Sequence, residues 1–121
     1  MMNELFLLLV LLFVKHFVVD FIFQTHQQVI EKGIYGAPGG IEHSGQHAVA
    51  TFFILLMFIS WPGAIILAVF DGVLHYHIDW TKININKRKN LTTNDKEFWV
   101  WLGADQLAHT LTYLWIGWLL A

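Results

Sequence analysis

Asp71, His75 and Asp79 recur at four-residue intervals directly after an apolar run that follows Gly63. At about 100° per residue this spacing sets all three on one helix face, each offset by about 40° from the last. His77 points roughly the other way. A carboxylate, an imidazole and a second carboxylate in one row are the donors that a hard or borderline divalent ion takes from a helix. They are also what a lipid-facing surface tolerates least. The rest of the chain must therefore shield this row and supply any remaining donors.

Hydrophobic residues make up 56% of the 121 and charged residues 13%. With a mean hydropathy of +0.54, a water-soluble domain of this length lacks the polar surface to cover itself. The composition predicts a single all-α domain, an integral membrane protein in contact with lipid. A formal net charge of -2 gives no basic face for nucleic acid, which is excluded as a partner. There is no cysteine, so the seven histidines are the strong nitrogen ligands. The apolar run Leu5 to Val14 lacks a preceding basic residue and a following small-residue cleavage site, and reads as an uncleaved membrane segment.

Taken in order, the pattern predicts four helices in an antiparallel bundle, at about 3–28, 43–61, 63–82 and 95–120. Each is long enough at about 1.5 Å per residue to cross a hydrocarbon core of about 30 Å. The glycine-rich stretch from Gly33 to Gly40 reads as irregular, and the Trp61-Pro62-Gly63 turn as a helix stop. Thr93 or Asn94 is placed as the cap of the last helix.

If these helices alternate up and down, the polar end of each falls on the same side. His16 and Asp20, His47, Asp71, His75 and Asp79, and Asp105 and His109 then converge at one depth as candidate ligands of one or two divalent ions. Gln24 and Gln106 are candidates for orienting a ligating group. His26 and His43 flank the glycine-rich stretch and are placed at the interface, outside the site. Zinc is the favoured ion, with manganese or iron admitted by the carboxylates. The competing reading is a buried network of His-Asp hydrogen bonds that fixes helix register without metal. The same side carries Lys32, Lys82, Lys87, Arg88, Lys89 and Lys96, so the excess of cations predicts a cytoplasmic position for it, with both termini outside. Trp61, Trp80, Trp99 and Trp118 fall near predicted helix ends as interface anchors.

The motifs His16-x-x-x-Asp20-Phe21-x-x-Gln24, Lys32, His47, His75-x-x-x-Asp79-x-x-Lys82 and Asp105-Gln106-x-x-His109 together resemble the small bacterial membrane proteins grouped as domain of unknown function 3307. The resemblance spans nearly the whole chain. It implies an inner-membrane location and a shared site at the Asp20-Phe21-x-x-Gln24, His47, His75-x-x-x-Asp79 and Asp105-Gln106-x-x-His109 positions, and supplies no activity. Three functions fit: a metal-dependent hydrolase of a lipid or lipid-linked phosphate or ester, a proton or metal-ion transporter or channel subunit, and a structural subunit with a polar core. Apolar outer halves on all four helices favour a closed-end site over a conduction path. A chain this small is also a candidate for a homo-oligomer.

Overall fold

The structure, a computed structural model, describes residues 2–121. It is all-helical, and no strand occurs among the described residues. Five helices form: α1 (Met2–Phe17), α2 (His26–Glu31), α3 (Pro38–Leu55), α4 (Trp61–Arg88) and α5 (Lys96–Leu120). The last turns of α1 widen into a π-helical segment, Val18–Phe23, which carries Asp20.

Several boundaries differ from the sequence expectation, for local reasons. The first long helix stops at Phe23 rather than near residue 28. Thr25 accepts from the Gln28 N–H at 3.2 Å while the Gln28 side chain accepts from the Thr25 N–H at 3.1 Å, a reciprocal cap that starts the separate short helix α2. The glycine-rich stretch is only partly irregular, because α3 begins at Pro38, five residues before the expected start. Pro38 needs no N–H partner there, and the Glu31 carboxylate accepts from the Gly39 N–H at the positive end of the helix. The Gln27 amide and that N–H hold the Glu31 carboxyl below its usual range. Gly40 lets the two segments approach closely: a Cβ there would lie 3.0 Å from the Lys32 Cα. Trp61-Pro62 opens α4 instead of ending α3, since proline in a first turn loses no helix hydrogen bond. α4 continues to Arg88, beyond residue 82, because Ile83 to Arg88 contains no breaker. It ends where Asn90 takes the left-handed conformation, φ 53°. Asp95, not Thr93 or Asn94, stands at the α5 N-terminus, with its carboxylate turned back to the Thr92 N–H at 2.8 Å.

The four long helices pack in a square, α1 against α3 and α5, and α4 against α3 and α5. The expected antiparallel order holds: Leu8 and Leu12 from early α1 cluster with Leu55 from late α3, Ala64 from early α4, and Tyr113 and Ile116 from late α5. Each helix buries one stripe that is apolar at this end and polar at the other. The stripes are Leu8, Leu12, Lys15 and Val19; His43, His47, Thr51 and Leu55; Ala64, Ala68, Asp71, His75 and Asp79; and Asp105, His109, Thr112 and Ile116. Spacings of three and four within each stripe are those of a helix face turned to a common axis. Small residues set the closest approach. A Cβ on Gly72 would sit 2.9 Å from the Ala48 Cβ, so α3 and α4 meet nearly backbone to backbone there.

The outward faces are apolar. Phe6, Phe21, Phe53, Ile66, Val69, Leu107 and Trp118 are all more than half exposed. One helical segment, Asn3–Phe23, is long and apolar enough to cross a membrane by length and composition. The other long helices fall short by that measure because α4 and α5 carry the charged stripe and α3 carries glycines and histidines.

Candidate metal centre

Asp20 organises the polar end of the bundle. Its Oδ1 lies 2.7 Å from His47 Nε2, 3.1 Å from His43 Nε2 and 3.6 Å from His75 Nε2, and its Oδ2 lies 3.0 Å from His16 Nε2. Four helical segments are needed for this: α1 brings His16, the π-helical turn brings Asp20, α3 brings His43 and His47 one turn apart, and α4 brings His75.

Hydrogen-bond partners sort these imidazoles into two kinds. The Lys15 ammonium lies 3.0 Å from His47 Nδ1 and can only donate, so the His47 hydrogen sits on Nε2 and points at Asp20. His16 Nε2 faces two acceptors, Asp20 Oδ2 and Gln106 Oε1 at 3.2 Å, while the Tyr113 hydroxyl lies 2.7 Å from Nδ1; the hydrogen is again on Nε2. His16 and His47 therefore hold Asp20 in place from its two oxygens. His43 and His75 differ. Their Nε2 atoms face each other at 3.3 Å, and neither Nδ1 has a hydrogen-bond partner. Two ring nitrogens and Asp20 Oδ1 thus lie 3.1 to 3.6 Å apart. Donors on a tetrahedral ion with bonds of about 2.0–2.1 Å stand about 3.3–3.4 Å from one another.

A second acidic group adjoins the first through Asp79. Its Oδ2 lies 3.2 Å from His75 Nε2 and 3.5 Å from His43 Nε2, and its Oδ1 lies 3.1 Å from His109 Nε2. Asp105 Oδ2 is 3.6 Å from the same His109 nitrogen and accepts from the Gln106 amide at 2.9 Å. His47, His75 and His109 form a stacked column, with ring centroids 3.6 and 4.1 Å apart. Groups of donor atoms close enough to hold a metal ion therefore occur at Asp20-His43-His47-His75, at His16-His75-His109 and at Asp79-Asp105-His109.

Charge is distributed unevenly over these carboxylates. Lys15 reaches Asp71 at 2.8 Å, where Thr51 also donates at 2.6 Å. Lys32 enters from the α2–α3 connection to within 3.4 Å of Asp79, and Lys82 lies 3.2 Å from Asp105. Asp20 has no lysine or arginine within 4.0 Å among the described residues; only imidazoles face it.

All eight ligand candidates taken from the sequence line the interior: His16, Asp20, His47, Asp71, His75, Asp79, Asp105 and His109. Gln106 bridges His16 and Asp105 as a positioning group, whereas Gln24 donates to the Asp20 carbonyl and accepts from Lys32 at 2.9 Å. His26 is exposed, and His77 lies outside, bonded to Tyr35 and the Val73 carbonyl. His43 is the correction. It is 1% exposed and central, because the early start of α3 carries it a full turn into the bundle. Lys15 is the residue that sequence reading missed, although the Leu8-Leu12-Lys15-Val19 stripe was a visible signal for it; Lys32 and Lys82 were placed at this end of the bundle, but not their contacts with Asp79 and Asp105.

A helical bundle with a histidine and carboxylate core is the class of protein these features define. The chain matches the family described as "Protein of unknown function (DUF3307)" over residues 8–120, and it belongs to that family. No curated protein and no solved structure matches it.

Proposed function

We propose that the protein is an integral membrane metalloenzyme in which His43, His75 and Asp20 hold one divalent ion, with zinc favoured and manganese or iron admitted by the carboxylate. The observation that carries this reading is the pair of Nε2 atoms of His43 and His75, 3.3 Å apart and 3.1 and 3.6 Å from Asp20 Oδ1, at a buried aspartate that has no ammonium beside it among the described residues. Two imidazoles and a carboxylate leave a coordination position for water, as in hydrolytic zinc sites. Asp79 Oδ2, buried, 3.2 Å from His75 Nε2 and 3.4 Å from the Lys32 ammonium, is the carboxylate oxygen that would take a proton from a water held at that position.

The membrane reading rests on the exposed apolar faces and on two tryptophan levels. Trp61 to Trp80 along α4, and Trp99 to Trp118 along α5, each span about 28 Å at 1.5 Å per residue, close to the thickness of the hydrocarbon core. The cationic connection from Lys82 to Lys96 lies at the site's end of the bundle, so that end is cytoplasmic and both termini are outside. A cysteine placed after Ala121 is expected to react with an impermeant maleimide from the outer side; labelling only after the cytoplasmic face is opened contradicts this topology.

The substrate class is a lipid or lipid-linked phosphate or ester that enters sideways. A groove of about 280 Å³ between α4 and α5, walled by Leu74, Ile78 and Ala104, reaches Lys82 and Asp105 from the apolar surface. Transport is disfavoured by the apolar plug of Leu8, Leu12, Leu55 and Ile116 across the other half. Chelator-stripped protein in mixed micelles with labelled phosphatidic acid and phosphatidylglycerol is expected to release product after zinc or manganese is restored. Turnover by the wild type that is indifferent to chelator contradicts a metal mechanism.

A further inference from the structure

The neighbouring cluster of Asp79 Oδ1, Asp105 Oδ2 and His109 Nε2 has the donors of a second metal position. It is nine-tenths buried or more. Hydrolytic sites commonly pair two ions about 3.5–4 Å apart, and His75 and Asp79 join this cluster to the first site. Yet each of these carboxylates also has an ammonium beside it, Lys32 at 3.4 Å from Asp79 and Lys82 at 3.2 Å from Asp105. Asp20, the anchor of the first site, has none.

We infer that the Asp79-Asp105-His109 cluster is a cation site whose positive charge is supplied by Lys32 and Lys82, so that the protein holds one divalent ion where its donor set would otherwise hold two. The two ammonium groups neutralise both carboxylates and repel a divalent ion placed between them. Lys32 is held for this by Gln24, whose side-chain oxygen accepts from it at 2.9 Å and whose amide is anchored on the Asp20 carbonyl. The α2–α3 connection thus has a chemical role: it carries one of the two charges that set the stoichiometry. This inference rests on the single-ion reading only for its baseline count.

Zinc equilibrium dialysis followed by elemental analysis tests it on the full-length protein in detergent. Wild type is expected to bind one equivalent, the double variant Lys32→Gln/Lys82→Gln two, and Lys32→Arg/Lys82→Arg one, because arginine keeps the charge. Adding Asp105→Asn to the glutamine pair should return the count to one. If wild type and the glutamine pair both bind one equivalent, the inference is overturned while the first site stands. If wild type binds none and the glutamine pair binds one, the lysine inference stands and the first site falls. Should the glutamine pair be poorly folded, its yield of monodisperse protein is expected to recover when zinc is supplied during growth; a yield equally low with and without zinc overturns the inference.

Discussion

Replacing Lys15 by methionine is expected to destabilise the bundle by about 3–5 kcal/mol, more than the loss of any single neutral hydrogen-bond partner in the core. Lys15 is 6% exposed and joins α1 to two other helices, through Asp71 on α4 at 2.8 Å and His47 on α3 at 3.0 Å. Methionine fills much of the same volume, so the cost comes from charge. Asp71, 1% exposed, would keep only the Thr51 hydroxyl and stand as an uncompensated buried carboxylate. Neutralising both partners should be far milder, since a buried ion pair replaced by uncharged groups of similar shape is often close to neutral. The check is thermal unfolding in detergent of Lys15→Met, Asp71→Asn and the pair. The double variant is expected to recover most of what either single variant loses; additive losses would mean that the two residues act separately.

The second large effect is on metal affinity. His43→Ala, His75→Ala and Asp20→Asn are each expected to lower zinc affinity by more than about 100-fold, because each removes or neutralises one of three donors and the remaining two cannot complete the ion's geometry. His47→Ala should be milder, about 10–100-fold, since that imidazole orients Asp20 instead of touching the ion. His77→Ala should change nothing; its ring lies on the outer surface against Tyr35. A hydrogen-bonded network without metal responds differently. Losing one neutral partner there costs about 1–3 kcal/mol of stability and moves no metal content.

Much of this site was legible in the sequence because helical spacing is a strong signal. Asp71, His75 and Asp79 recur every four residues, and so do His16 with Asp20 and Asp105 with His109; alternating helix direction alone brings them to one depth. What was not legible depended on where helices start. His43 and His47 were visible as a pair, but placing the helix start at residue 43, after the glycines, left that residue at the edge. Gly39 and Gly40, ordinarily helix breakers, lie in the first turn of α3, where Glu31 and Lys32 approach so closely that a Cβ would be crowded. The separation of α2 from α1 was written in Thr25-x-x-Gln28, a short capping pattern outweighed by the apolar run before it. Lys32 lies on an irregular connection, where sequence periodicity carries no direction, and its approach to Asp79 exists only in three dimensions. The sorting of the histidines was beyond the sequence for a related reason. Whether an imidazole ligates or positions is decided by what faces its other nitrogen, and for His47 that is a lysine from a different helix.

Elemental analysis of the wild-type protein tests the central claim most directly. Purified without chelator, then incubated separately with zinc, manganese and iron and freed of excess ion, the protein is expected to retain close to one divalent ion per chain, and His77→Ala the same. His75→Ala and Asp20→Asn, equally folded, should retain almost none. A wild type that stays metal-free with all three ions, or a His75→Ala variant that keeps a full equivalent, would contradict the account.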